Sequence, residues 1–297
     1  MKKILFPTDF SKASLNAFVY ALHFASRIHA EVVTLHVYQL PVGAYTDYYD
    51  YLTENYNTSE LGQFENFKSE VPRLRAIAEE QGLGHVKLSH MLEMGDAVDT
   101  ILSAQMTERA DYLILGTKGA SGVREIFLGS VAEEIMNKAT CIVLAIPEAC
   151  AYHPIKNILF LTEFAMYLIG TLERVKELAD LFKANILALE VKKNHEEDDE
   201  RVLQKWRANF KVSGLLFNIL ASSSIEDTVT DVVELEKMDM IAMAVRHKGF
   251  FERLFQFSLS RNLAYHSKIP VLSIPKEVAD HEKLNPKKAA KTKSPGN

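Results

Sequence analysis

The sequence predicts an α/β protein of two tandem domains, each a five-stranded parallel sheet with helices on both faces. Three observations carry this. Short apolar runs alternate with segments whose apolar residues recur every three or four positions, which is the pattern of βαβ units. The chain also repeats itself: Lys2-Lys-Ile-Leu-Phe-Pro-Thr-Asp-Phe10 returns as Lys156-Asn-Ile-Leu-Phe-Leu-Thr-Glu-Phe164, an offset of 154. Finally, 297 residues are about twice the length of a common single domain.

In chain order, the first strand is expected at Lys3 to Phe6, running into Pro7-Thr8-Asp9. A helix follows because Leu15, Phe18, Leu22, Ala25 and Ile28 share one face, and Ser11 is a suitable N-cap. Further strands read at Glu31 to Tyr38, His85 to Leu92, Tyr112 to Leu115 and Cys141 to Ile146, with a helix starting near Ser130 and repeating at Val131, Ile135 and Met136. In the second unit Ala184 to Val191 lines up with Ala30 to Val37, and Leu168, Leu172, Val175, Ala179 and Phe182 form the matching helix face. Ile269 to Pro275 matches Cys141 to Pro147 at an offset of 128, so the first unit holds 26 additional residues, which must lie between Val37 and the third strand. The extra segment reads as a tyrosine-rich loop between Pro41 and Gly62, with Tyr45, Tyr48, Tyr49, Tyr51 and Tyr56. Such a loop serves as a lid or partner surface, or its tyrosines pack over the insertion's own helix. The domains are expected at 1–149 and 153–277, followed by a disordered basic tail, 278–297, in which Lys287, Lys288, Lys291 and Lys293 stand among small and polar residues.

Composition excludes several classes. No apolar run approaches the roughly 18 residues of a membrane helix, and the N-terminus reaches Pro7 and Asp9 before a secretory apolar region develops, so a cytoplasmic protein with no membrane partner is expected. A formal charge of −5 gives no general attraction to nucleic acid. Two cysteines, Cys141 and Cys150, are too few for a disulfide framework or a zinc site and are expected to be reduced. The ten histidines lack metal-ligand spacing, and His23, His29, His36 and His90 read as ordinary core or surface residues.

The stretch with most chemistry in it is Gly116-x2-Gly119-x9-Gly129-Ser130, three glycines and a hydroxyl between a strand and a helix. Glycines admit an anion close to the backbone, and the first turn of a helix offers unpaired N–H groups to phosphate oxygens. The spacing matches neither Gly-x4-Gly-Lys-Ser/Thr nor Gly-x-Gly-x-x-Gly. Lys118 and Arg124 flank the glycines, where they either screen phosphate charge or face solvent. Asp9, Val37 and Gly116 all end strands, and the C-terminal ends of a parallel sheet form one rim, the usual place for a ligand.

Taken with Pro7-Thr8-Asp9, this pattern resembles the ATP-binding branch of the universal stress protein family, whose fold is Rossmann-like, of the adenine nucleotide alpha hydrolase type. The resemblance implies that Gly116, Gly119, Gly129, Ser130 and Val131 hold ribose and phosphates, and that Asp9 and Val37, with Pro7 and Thr8 beside them, meet the adenine. It implies ATP as the ligand, alone or as its magnesium complex, an unknown protein partner, and association through the last strands, both as an intrachain pseudo-dimer and as a homodimer.

The two halves are not equivalent. Aligned without gaps, Ala244 stands against Gly116, His247 against Gly119, Phe257 against Gly129 and Ser258 against Ser130, while Glu163 replaces Asp9. Side chains at the close-approach positions would exclude phosphate. The leading reading is therefore ATP binding by the first domain of a regulatory stress-response module. A slow ATPase or phosphoryl-transfer enzyme and a nucleotide-free scaffold are the alternatives; no catalytic base is identifiable, and the Ser-Gly-Gly-x-Asp-Ser and His-Ile-Gly-His motifs of related adenylating enzymes do not occur.

Overall fold

The computed structural model describes residues 1–39, 49–117, 130–210, 213–245 and 269–275. They fall into two compact units that divide between His153 and Pro154, with Val271–Pro275 belonging to the second.

In the first unit the order is β1 (Lys2–Pro7), α1 (Lys12–Ile28), β2 (Ala30–Tyr38), α2 (Tyr49–Glu80), β3 (Leu88–Met94), α3 (Ala97–Thr107), β4 (Tyr112–Gly116), α4 (Ser130–Lys138) and β5 (Ile142–Ile146). The strands are parallel and lie in the order β3-β2-β1-β4-β5. Helices α1 and α2 pack together on one face and α3 and α4 on the other, the arrangement the right-handed crossover rule predicts for this strand order, so the central strands are covered on both faces. That is why Ile4, Leu5 and Phe6 are all buried and the strand reads as a continuous apolar run without alternation. The order reverses on the two sides of β1, which makes the crevice between the ends of β1 and β4 the switch point of the sheet.

The α1 face is the expected one: Phe18, Leu22, Ala25 and Ile28 are buried, and the Ser11 hydroxyl caps the helix by accepting from Ser14 N–H at 3.2 Å. The chain leaving β5 is fastened to this helix. Asn16 donates to the Cys150 carbonyl at 2.7 Å, the Tyr20 hydroxyl lies 2.9 Å from Cys150 Sγ and donates to the Ala151 carbonyl at 3.0 Å, and Tyr152 stacks on His23 at 3.7 Å. Burial pushes the Cys141 thiol up to about 12, and Cys150 is raised for the same reason, so both are free, protonated and unreactive.

Two expectations for this unit are corrected. The third strand, expected at His85 to Leu92, begins at Leu88 and ends at Met94. Residues 81–87 are taken by the turn that ends α2, in which Gly82 adopts φ 68° and Leu83 N–H reaches the Ala78 carbonyl, so the ladder with β2 opens only at Val32 and Leu88. The tyrosine-rich stretch expected as a loop from Pro41 to Gly62 is helical from Tyr49 onward, and Tyr45 and Tyr48 lie outside the described residues. Between Tyr49 and Val71 there is no proline and one glycine, while Leu52, Glu54, Leu61, Gln63 and Glu65 favour the helix. The helix is held to the sheet further along, through Phe67, Leu74 and Ala78.

The second unit repeats the plan: β6 (Asn157–Leu161), a 3₁₀ turn at Met166–Leu168, α5 (Ile169–Phe182), β7 (Asn185–Lys192), α6 (Asp199–Asn209), β8 (Leu215–Ala221), α7 (Ile225–Leu235), β9 (Met240–Val245) and β10 (Val271–Pro275), in the parallel order β10-β9-β6-β7-β8. The connection from the second to the third strand runs over 193–214 here and over 39–87 in the first unit, so the insertion lies where the repeat offsets require.

The duplication extends to backbone strain. Among the described residues the non-glycine positions with positive φ are Phe10 and Phe164, His29 and Lys183, and Arg109 and Lys237, three pairs that fall at the two repeat offsets. His29 and Lys183 end α1 and α5 in the left-handed conformation that usually selects glycine. A further matched position differs in chemistry: Ser273 in β10 is fully buried with no hydrogen-bond partner for its hydroxyl among the described residues, where the first repeat carries Ala145. Ser273→Ala removes a desolvated group without opening a cavity, and urea denaturation is expected to show about 1 kcal/mol of stabilisation. Unchanged or lowered stability would contradict this.

Candidate functional site

The rim of the first sheet is built by where its ladder stops. Pro7 pairs with Leu35, and the last backbone bond between β1 and β2 is Thr8 N–H to the Leu35 carbonyl at 2.8 Å. In a parallel strand alternate residues turn both N–H and C=O to opposite neighbours. Val32 and Tyr38 face β3, through Val32 N–H to the Lys87 carbonyl and Gly95 N–H to the Tyr38 carbonyl, and Leu35 faces β1. Val37 shares the parity of Leu35, so its N–H and C=O are directed beyond the last ladder bond, past the end of β1. One donor and one acceptor side by side suit the edge of a heterocyclic base.

Beside them Thr8-Asp9-Phe10 forms a tight turn. The buried Thr8 hydroxyl accepts from Phe10 N–H at 3.0 Å and from the Ser14 hydroxyl at 2.8 Å, and this holds Phe10 at φ 58°. Asp9 is exposed on the rim, and its carboxylate accepts from Ser11 N–H at 3.0 Å, which joins it to the start of α1. Gly116 ends β4 opposite Ile146, and buried Thr117 continues the ladder by donating to the Ile146 carbonyl at 3.0 Å. Since β1 and β4 pair in parallel with Leu5 opposite Leu113, Gly116 comes level with Thr8. Pro7, Thr8, Asp9, Val37 and Gly116 therefore share one rim. Ser130 is the first residue of α4 and Val131 the second, with Ala132, Ile135 and Met136 buried against the sheet. Lys118, Gly119, Arg124 and Gly129 lie outside the described residues.

His36, read from sequence as an ordinary histidine, belongs to this rim. Its Nδ1 lies 2.8 Å from the Thr8 carbonyl, and its ring packs against Phe10 at 4.9 Å and Phe67 of α2 at 6.4 Å. The signal that could have found it is the repeat itself, since the matching residue is Glu190.

The second unit keeps the turn and changes what surrounds it. Phe164 N–H bonds the Thr162 hydroxyl at 3.2 Å and Thr162 N–H the Leu189 carbonyl at 3.0 Å, as in the first repeat. Here the Phe164 carbonyl accepts from Trp206 Nε1–H at 2.6 Å, and Phe164, Trp206, Phe210 and Phe217 form one aromatic cluster with ring centroids 5.3 to 6.3 Å apart. Glu190 is half-buried and its carboxyl is raised, chiefly by burial. Ala244 takes the place of Gly116, while His247, Phe257 and Ser258 lie outside the described residues.

At the start of α6, hydrogen bonding to Lys192, with the Glu196 N–H and His195 as further donors, lowers the Asp199 carboxyl to about 2 against the opposing effect of burial. A folded-state value below the unfolded one gives stability that is full above about pH 4 and fades as pH falls toward 2. In acid titrations of stability, Asp199→Asn is expected to flatten the loss across that window; an unchanged slope would show that the carboxylate contributes nothing. Among the described residues no group of three or more His, Cys, Asp or Glu side chains could hold a metal ion, and no helix is long and apolar enough to cross a membrane.

A family model described as the universal stress protein family matches residues 1–147 and 187–275. A universal stress protein of Methanocaldococcus jannaschii is 32% identical over 148 residues, covering 49% of this chain and 81% of that protein. One from Thermus aquaticus is 29% identical over 149 residues, covering 49% of this chain and 98% of its own length. Among solved structures, a universal stress protein from Archaeoglobus fulgidus superposes with a TM-score of 0.65 at 20% identity, covering 92% of this chain and 96% of that one, a likeness of fold.

Proposed function

We propose, for a chain that belongs to the universal stress protein family, that the first domain binds ATP at its rim and that the protein acts in the cytoplasm as a nucleotide-dependent stress-response module. The observation that carries this is the direction of the Val37 N–H and C=O, past the end of β1 and beside Asp9, with Gly116 level with Thr8 on the neighbouring strand. An adenine has the complementary donor and acceptor on one edge. The glycines at 119 and 129 and the N-terminus of α4 at Ser130 and Val131 are then placed in sequence to follow the ribose and phosphates, with Lys118 and Arg124 to screen charge, with or without Mg2+.

The second domain is part of the same proposal in a different role. It keeps the strand-end turn, fills its surroundings with aromatic side chains, and lacks the glycines, so it supports the module without taking ATP as the first domain does. We place the domains at 1–149 and 153–277 with the basic tail after them, and assign association of whole chains and a protein partner to the nucleotide-dependent behaviour. Extraction of nucleotide from the purified full chain, with identification by mass, tests the reading. Retained adenine nucleotide, and a rise in stability of about 2.7 kcal/mol when ATP is added at a hundred times its Kd, are expected. No retained nucleotide and no shift with millimolar ATP would overturn it.

A further inference from the structure

We propose that His36 is a positioning residue, which ends the β1–β2 ladder one step early and thereby releases the Val37 N–H to a purine base. The inference rests on the ATP reading of the first-domain rim. If the parallel ladder simply continued, the next bond after Thr8 N–H to the Leu35 carbonyl would be Val37 N–H to the Thr8 carbonyl. Among the described residues that bond is not made, and the carbonyl accepts from the His36 ring at 2.8 Å. A carbonyl only accepts, so Nδ1 carries the proton. The ring cannot swing away, because Phe10 lies against it at 4.9 Å and Phe67 stacks behind at 6.4 Å with 17° between the planes. Phe10 is itself fixed at φ 58° by the Thr8 hydroxyl, so turn, ring and helix α2 brace one another.

The consequence is selectivity as well as affinity. The Val37 N–H matches an acceptor at purine N1, and its C=O matches a donor at the 6-position. Adenine presents that pair, whereas guanine presents the reverse, N1–H and O6. With the ring out of that approach, the Val37 N–H would close the next ladder bond to the Thr8 carbonyl, and the reading edge would lose its donor. The second repeat lacks the device: Glu190 stands in place of His36 and makes no bond to the Thr162 carbonyl among the described residues, and the donor on that turn is Trp206, which binds the Phe164 carbonyl.

The test is calorimetric titration of ATP and, separately, GTP into the full-length wild type, His36→Leu and His36→Asn. The Asn amide nitrogen stands close to where Nδ1 was and restores the donor. Wild type is expected to prefer ATP. His36→Leu should weaken ATP about tenfold, one hydrogen bond's worth, with GTP moved less than about twofold, and His36→Asn should return ATP to within about threefold of wild type. An equal loss for both nucleotides, or no loss in His36→Leu, overturns the positioning role while leaving the ATP site intact. A wild type that binds neither nucleotide overturns the site as well. If His36→Leu does not fold, the tautomer decides: nitrogen NMR of the ligand-free protein should find the His36 proton on Nδ1, and a proton on Nε2 with Nδ1 bare refutes the proposal.

Discussion

Gly129→Phe is expected to abolish ATP binding, weakening it by about a hundredfold or more, because it imports into the first repeat the residue that the second repeat carries at Phe257. Glycine at this place matters through what it omits: a backbone N–H approaches a phosphate oxygen only where no side chain stands between them. A phenyl ring adds bulk and brings no donor. Gly129→Ala should give an intermediate loss, so the pair separates steric exclusion from general damage, and isothermal calorimetry on both variants checks the order. The second domain should be unaffected, since Trp206, the only tryptophan in the chain, reports its packing by fluorescence. Binding by Gly129→Phe within threefold of wild type would mean that the glycine loop does not carry the nucleotide.

The second large effect concerns stability. Trp206 is fully buried, bonds the Phe164 carbonyl at 2.6 Å, and packs on three phenylalanines. Trp206→Ala should cost the second domain about 3–5 kcal/mol, through lost burial and the cavity left among rings that cannot close over it. Trp206→Phe keeps most of the bulk and removes the N–H; it should cost about 1–3 kcal/mol, the penalty for a buried carbonyl left unpaired. Denaturant unfolding followed by circular dichroism separates the two. ATP binding by the first domain should persist in both, and a change below 0.5 kcal/mol in each would show that the aromatic cluster does not hold the turn.

The α/β plan was legible from sequence wherever burial dictated it. Ile4, Leu5 and Phe6 had to be a strand buried on both faces, Phe18, Leu22 and Ala25 had to be a helix stripe, and the repeat offsets located the insertion between the second and third strands. Where local backbone chemistry competed with apolar pattern, the sequence was a poorer guide. His85 and Val86 resemble a strand, yet Gly82 and the Leu83 bond to Ala78 hold them in the turn that follows α2. The tyrosines suggested a loop because their ring density masked a stretch that holds no proline and a single glycine before Val71.

At the candidate site, Thr8, Asp9, Val37 and Gly116 could be put on one rim because parallel strands end together. His36 could not be found in this way. Its part depends on a side chain reaching across to the carbonyl of Thr8, 28 residues earlier, and no periodicity encodes that contact. Comparing the repeats does expose it, as histidine facing glutamate between the matched pairs Leu35/Leu189 and Val37/Val191.

If only the first repeat takes nucleotide, the stoichiometry of ATP binding must show it. Calorimetric titration of nucleotide-free, full-length protein should give one ATP per chain, and Gly129→Phe should reduce that to none. Two sites per chain, or a single site that survives in Gly129→Phe, would contradict the account.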